Sequence, residues 1–208
     1  MDIRNRILIK AEELSRSIGF RALTMDELAN QLGISKKTIY QYYTDKDALV
    51  NDVMSEVINK SQIMCKYTSE SAVNAIDELL MTMKQIRQDF QNLNPIFLHD
   101  LQKYYPEPFN KFQYHKNNFI FQLIHDNLVK GIAQGYYRPE IDADILAKFR
   151  IESMLIAFNQ HVFPSAHYKL IDVTHAIFEH FLYGISTSKG LQLIQQSKTI
   201  QNNDVSAI

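Results

Sequence analysis

The chain has no tryptophan, a single cysteine, six glycines and five prolines among its 208 residues. With Cys65 alone, an internal disulfide is excluded, and so is a zinc site built on several thiolates. No glycine-rich phosphate loop is present, nor a Gly-x-Ser-x-Gly elbow, nor a His-Glu-x-x-His run, so the common sequence signs of nucleotide, hydrolase and metalloprotease chemistry are missing. Long apolar runs are missing too. The longest stretch free of Asp, Glu, Lys and Arg is 153–168, sixteen residues interrupted by Asn159, Gln160, His161 and Pro164, which cannot span a bilayer. Nor is there a surplus of charge: 22 Lys and Arg meet 23 Asp and Glu, for a net −1. The balance is uneven, with eight basic against six acidic residues in 1–46 (+2) and fourteen against seventeen in 47–208 (−3). Phosphate contact must therefore be local and rest on few side chains. No leader is visible ahead of the amphipathic first helix, which carries Glu12 and Glu13; the expectation is a cytoplasmic protein with no membrane partner.

What is present is helical periodicity throughout, with 46% hydrophobic residues to build cores and no β-alternation. The fold expected is all-α with about nine helices. The first places Ile3, Ile7, Ala11, Leu14 and Ile18 on one face and ends at Gly19. The next two lie at 25–32 and 36–43, and a lever helix at 46–66 joins the parts. A helix follows from about Ser71 to Phe90. Asn94-Pro95 and then Pro106 bracket a short helix, a long one runs from Glu107 to Gln134 and is closed by Gly135, and two more cover 142–159 and 168–186. The tail, rich in Gln, Ser and Asn from about Gln192, is expected to fray. As domains this reads 1–49, 50–190 and a tail 191–208.

The segment Thr24 to Lys46 carries the most information. Thr24 with Glu27 three residues on is a capping box, Leu28, Ala29 and Leu32 share a face, and Gly33 stops the helix. Ser35 can cap a following helix that turns Ile39 and Tyr43 inward. Lys36, Lys37, Thr38, Gln41 and Tyr42 then lie on other sides, a set of donors, cations and hydroxyls suited to base edges and phosphates. Lys46 opens the next helix, where its ammonium and the helix N–H groups can hold one phosphate. These are helix-turn-helix features.

The run Ile3 to Leu49 resembles the DNA-binding domain of the TetR family. That family has Thr opening helix two, Gly-hydrophobic-Ser at the turn, and Tyr-x-His-Phe-x-x-Lys-x-x-Leu at the end; here the ending reads Tyr40-Gln-Tyr42-Tyr43-Thr-Asp-Lys46-Asp-Ala-Leu49. Tyr42 and Tyr43 stand where His and Phe are commoner. The resemblance implies base contacts from Lys36, Lys37 and Thr38 and backbone contacts from Thr24, Tyr40, Tyr42 and Lys46, with Gln41 open to either and Ser35 beside them at the cap. Later likeness is looser, in Phe97–Pro106 and Tyr183–Gly190. It implies a regulator, commonly a repressor, that binds an inverted repeat in double-stranded DNA as a homodimer and responds to a small-molecule effector, with no cofactor, metal or enzymatic activity.

The helices at 142–159 and 168–186 are apolar over more than one face, through Ile145, Leu146, Phe149, Met154, Leu155 and Phe158 and through Leu170, Ile171, Ile177, Phe178, Phe181 and Leu182. The surplus points to dimerisation through these two helices. Aromatic residues crowd the segment from Phe90 to Phe121; they either fill the core or line a pocket, and the resemblance favours a pocket formed by Met83, Phe97, Tyr104, Phe112, Phe119, Met154 and Phe158 for an apolar or aromatic ligand. His175 and Glu179 stand one turn apart with no second pair, so they are read as surface or interface groups, and Cys65 as an inert thiol. The alternative function is a helical-bundle carrier or enzyme without DNA binding.

Overall fold

Side-chain caps set five of the helix starts, and their regularity explains why the element order follows the sequence so closely. The computed structural model describes residues 2–205, with side chains as far as Ser197. The elements are α1 (Ile3–Ala22), α2 (Met25–Leu32), α3 (Lys36–Tyr40), α4 (Lys46–Ser71), α5 (Ala75–Phe90), α6 (Ile96–Tyr104), α7 (Pro106–His115), a π turn (Lys116–Ile120), α8 (Phe121–Ala133), α9 (Ala143–Ile156), α10 (Leu170–Ile185) and α11 (Ser188–Val205). Thr24, Ser35, Asp45, Asn74 and Asp142 each accept a backbone N–H three residues on. The capping box at Thr24 is half made: its hydroxyl takes Glu27 N at 3.0 Å, while the Glu27 carboxylate accepts from Gln31 at 2.9 Å. Gly33, at φ 64° and ψ 34°, closes α2 in the left-handed region.

Five expectations shift. Helix α3 stops at Tyr40, so Gln41, Tyr42 and Tyr43 lie in its closing turn. Helix α4 continues to Ser71, and α5 waits for its cap at Asn74 rather than starting at Ser71. The expected 107–134 helix is a rod in which the π turn separates α7 from α8. Such a turn carries one extra residue, which sets the neighbours His115 and Lys116 both inward. The tail does not fray from Gln192: α11 runs on to Val205, pinned by fully buried Ile194 against Ala75, Ile76 and Phe178, which makes ten helices with the rod counted once. Ile18, expected on the inner face of α1, is exposed, because the chain turns away at Gly19.

Two apolar clusters hold the molecule. The first joins Ile7, Phe20, Leu28, Ile39, Leu49 and Val53 of α1–α4 to Leu93, Phe97, Leu101, Ala157, Leu170 and Val173. The second holds Ile76, Leu79, Met83, Leu128, Tyr137, Phe178, Phe181 and Leu182. The segment expected as a separate domain, 1–49, thus shares one continuous core with the foot of the remainder. Helix α6 is the main bridge: Phe97 meets Phe20 with ring centres 4.6 Å apart, and the buried Asp100 carboxylate accepts Arg21 N at 2.8 Å. Asn94 adds two bonds to the α1 carbonyls of Arg16 and Ser17, and the Arg16 guanidinium donates to Asp89 O. Among the described residues no helix is long and apolar enough to cross a membrane.

Candidate nucleic-acid interface and ligand groove

Helices α2 and α3 meet across the Gly33 turn with Leu28, Ala29 and Ile39 buried between them and α1. Burying Ile39 and Tyr43 fixes the roll of α3, which leaves Ser35, Lys36, Lys37, Tyr40, Gln41 and Tyr42 exposed with Thr24 at the head of α2. Thr38 is half-buried, its hydroxyl 2.8 Å from that of Ser35. The expected contact residues therefore share one surface. Four of them are engaged within the chain, Thr38 through that bond to Ser35. Lys36 donates to Asp26 Oδ2 at 2.8 Å, and that bond holds its ammonium above the usual lysine range. Thr24 and Ser35 act as caps; the Thr24 hydroxyl keeps its own hydrogen available, while the Ser35 hydroxyl is also paired with that of Thr38.

Lys46 opens α4 as expected, and its side chain is engaged within the chain. Its ammonium donates to Arg21 O at 3.2 Å and stands 5.9 Å from the Tyr105 ring, and burial pulls its pKa down while Asp100 and Asp47 push it back up. It sits at the junction of α1, α4 and α7, beside the exposed face of α3. Tyr43, where the resemblance has Phe more often, keeps a core position; its hydroxyl donates to Asp52 Oδ2 at 2.7 Å, and Arg4 reaches the same oxygen at 2.9 Å.

The expected pocket residues do not converge. Phe97 is packed on Phe20, and Met83 belongs to the second cluster. Phe112 rests beside Phe109 on the first cluster, and Phe158 stands edge-on to Phe90 with centres 5.4 Å apart. Tyr104 is exposed near Arg21 and Lys103, and Met154 is half-buried on α9. Only Phe119 lines the open groove of about 1180 Å³ that lies between α4 and the α7–α8 rod, with Ser55, Ile58, Gln62, Lys111, His115 and Phe121. The reason is geometric: a count of rings does not say which cluster each one faces.

His115 was not singled out by the sequence, yet it ties the rod to the lever helix. Its ring nitrogens lie 3.3 Å from Ser61 Oγ and 3.5 Å from Gln62 Nε2, its ring stacks on Phe119 at 5.2 Å, and burial holds its pKa below the usual histidine range. His175 Nδ1 stands 3.6 Å from Glu179 Oε2, one turn along α10. Burial pushes the Cys65 thiol up, away from the reactive thiolate.

The model for bacterial regulatory proteins of the tetR family matches residues 7–53, which span α1 to the start of α4. An HTH-type transcriptional regulator of Bacillus subtilis, YvaF, is 34% identical over 101 residues, 48% of this chain; the alignment spans about half, 53%, of that protein. The HTH-type transcriptional repressor KstR2 of Mycobacterium tuberculosis is 22% identical over 149 residues, 70% of this chain and 74% of the repressor. In three dimensions the fold is similar to a TetR-family regulator from Agrobacterium tumefaciens, with a TM-score of 0.74 at 15% identity over 88% of this chain and 97% of that one. The helix-turn-helix segment, residues 7–53, thus matches the tetR family of bacterial regulatory proteins, and the chain as a whole is similar in fold to a regulator of that family.

Proposed function

We propose that the protein is a ligand-responsive transcriptional regulator, a repressor by analogy with KstR2, that binds an inverted-repeat operator as a homodimer. One observation carries the reading: α3 buries Ile39 while Lys37, Tyr40, Gln41 and Tyr42 stay exposed on a single face with Thr24 and Ser35. Such a face suits a major groove, with Lys36, Lys37 and Thr38 toward bases and Thr24, Tyr40, Tyr42 and Lys46 toward phosphates. Lys36 leaves Asp26 to do so.

The dimer is proposed through α9 and α10. Ile145 and Phe149, 61% and 53% exposed, share a stripe of α9 with Ile156, and Tyr183 is exposed on α10. An apolar stripe of that kind needs a cover, and a second copy of the same two helices supplies one by two-fold symmetry. The effector is proposed to act from the regulatory helices on α4 and α6, the two elements that grip α1. A shift in either changes the spacing of paired recognition helices. Coupling of this kind typically amounts to about 1–3 kcal/mol and is reciprocal, so operator DNA weakens effector binding by the same factor.

The test is selection of DNA sequences by the purified protein, with Lys37→Ala and Tyr42→Ala alongside. Enrichment of an inverted repeat, weakened by both substitutions and lost steeply as salt rises, supports the reading. No enrichment at low salt refutes it and favours a ligand-binding bundle without DNA.

A further inference from the structure

The two apolar clusters do not merge, and a buried charge stands where they part. Along α9, Leu146 and Ala147 pack with the second cluster and Ala157 and Phe158 with the first, while Arg150 and Ile151, both buried, belong to neither. The Arg150 guanidinium is 5.1 Å from the centre of the Phe178 ring and 5.4 Å from that of Phe181, and the residue is only 3% exposed. Its Nη1 has no hydrogen-bond partner, and among the described residues no carboxylate comes within ion-pair distance. The other buried bases of the region are accounted for. Lys116 donates to Glu152 at 2.5 Å, and His115 meets Ser61 and Gln62.

A guanidinium almost wholly buried and without an acid is an expensive thing to keep. Ring faces attract it, but they do not supply acceptors for its in-plane N–H donors. Burial draws its pKa down to about 10, so at neutral pH it still carries its full charge. A fold selected for stability alone would place a methionine or leucine there, since apolar replacement of buried ionic groups is often neutral or stabilising. What is missing is one planar acceptor with one negative charge, set among apolar side chains. A carboxylate matches the fork of the guanidinium in shape and cancels its charge one for one, whereas a dianionic phosphate overshoots.

We propose that Arg150 anchors the carboxylate of a monoanionic amphipathic effector, whose apolar body lies against Phe178, Phe181, Ile151 and Met154. This rests on the effector reading above and names the ligand class for it. The carboxylate satisfies Nη1, and the apolar body enters where the clusters part by displacing side chains packed there in the free protein, which gives the regulatory helices a different packing with and without it.

The test is calorimetric titration of the full chain with straight-chain carboxylates from octanoate to hexadecanoate, each below its micellar concentration, beside the neutral alcohols of equal length. The expected result is at least tenfold tighter binding of the best acid than of its alcohol. In Arg150→Met that preference disappears, with alcohol binding kept within about threefold and a melting temperature equal to or above that of the parent. Arg150→Lys, which keeps charge without the fork, retains part of the preference; the acid–alcohol comparison in the unaltered protein stands whether or not either variant folds. Alcohols that bind as tightly as the acids overturn the anionic assignment and leave the effector reading in place. Acids that bind equally to Arg150→Met overturn the anchor. Absence of binding by every acid overturns the proposal, while operator release by other compounds still decides the effector reading separately.

Discussion

Replacing Gly19 by alanine tests whether the α1–α6 contact is the rigid joint described above. Gly19 sits at φ 83° and ψ 162°, a region that is open in practice only to glycine and costs any other residue about 1–3 kcal/mol. A methyl group there also meets Asp100 Oδ2 at 2.5 Å and Ile96 Cγ2 at 2.8 Å, both inside contact distance. Asp100 cannot simply step aside, because it is buried and its Oδ2 accepts the Arg21 N–H; overpacking of this kind costs about 1–3 kcal/mol. Against these stands a gain of about 0.4–1 kcal/mol from a stiffer unfolded chain. The sum is a loss of about 1–6 kcal/mol, or a fall in Tm of about 2–22 °C at this chain length. Gly33→Ala is the control. Its φ is 64°, it has nothing within 4 Å of the added carbon, and its cost is limited to the left-handed backbone, about 1–2 kcal/mol before the same entropic gain. Urea unfolding followed by circular dichroism measures both. A Gly19→Ala loss within 1 kcal/mol of the Gly33→Ala loss refutes the claim that α6 is clamped on α1 through Asp100.

Other outcomes follow from the same contacts. Tyr43→Phe leaves the ring in place but removes the donor to Asp52, and urea unfolding is expected to show a loss of about 1–2 kcal/mol; no loss means that Arg4 alone satisfies Asp52. His115 has its pKa lowered by burial, so the folded chain favours the neutral ring; its contribution is fully present above the unfolded value near 6.5 and is lost as pH falls from there through the folded pKa. Stability should thus drop between pH 7.5 and 5.5 more steeply in the parent than in His115→Gln, and equal slopes would remove His115 as the cause. Asp26→Asn releases Lys36 and removes a negative charge from the proposed DNA-binding surface, so affinity for duplex DNA at low salt should rise several-fold; weaker binding would show that the pair orders the interface instead. Lys46→Ala should weaken binding to all sequences alike and reduce the slope of log K against log salt by about 1.8 for a dimer, at roughly 0.9 per phosphate contact. An unchanged slope assigns Lys46 to the joint with Arg21 and Tyr105 alone.

How much of this was legible depends on how local the physics is. Thr24, Ser35 and Gly33 act on neighbours within four residues, so the helix-turn-helix and its exposed face could be read from the chain directly. The π turn could not: every residue from Lys116 to Ile120 is compatible with an α-helix, and only the inward placement of both His115 and Lys116 betrays the extra residue. The packing of the expected pocket residues was illegible for the opposite reason, since Phe97 finds its partner in Phe20, distant in sequence, and nothing near Phe97 announces that pairing. Gly131 did carry a signal, being a glycine inside a helix with no turn to make; the Tyr137 ring lies where its side chain would be, and the Tyr137 hydroxyl bonds Ala75 O and Asn127 Oδ1 beneath.

Arg150 carried a signal too, and it went unread because a lone arginine on a helix is usually solvated. Ala147, Ile151 and Met154 lie three back, one on and four on from it, so the arginine stands in the middle of an apolar stripe rather than on the opposite face. Lys148, two residues earlier, illustrates the contrast: it is exposed and pairs with Asp144 at 2.7 Å, one turn away on the same side. A charge on the wet face finds its counterion in its own helix, whereas one on the dry face must get it from another element or from outside the chain. Among the described residues no element supplies an acid to Arg150, and it is this difference between Lys148 and Arg150, two positions apart in sequence, that directs the search for an effector toward carboxylates.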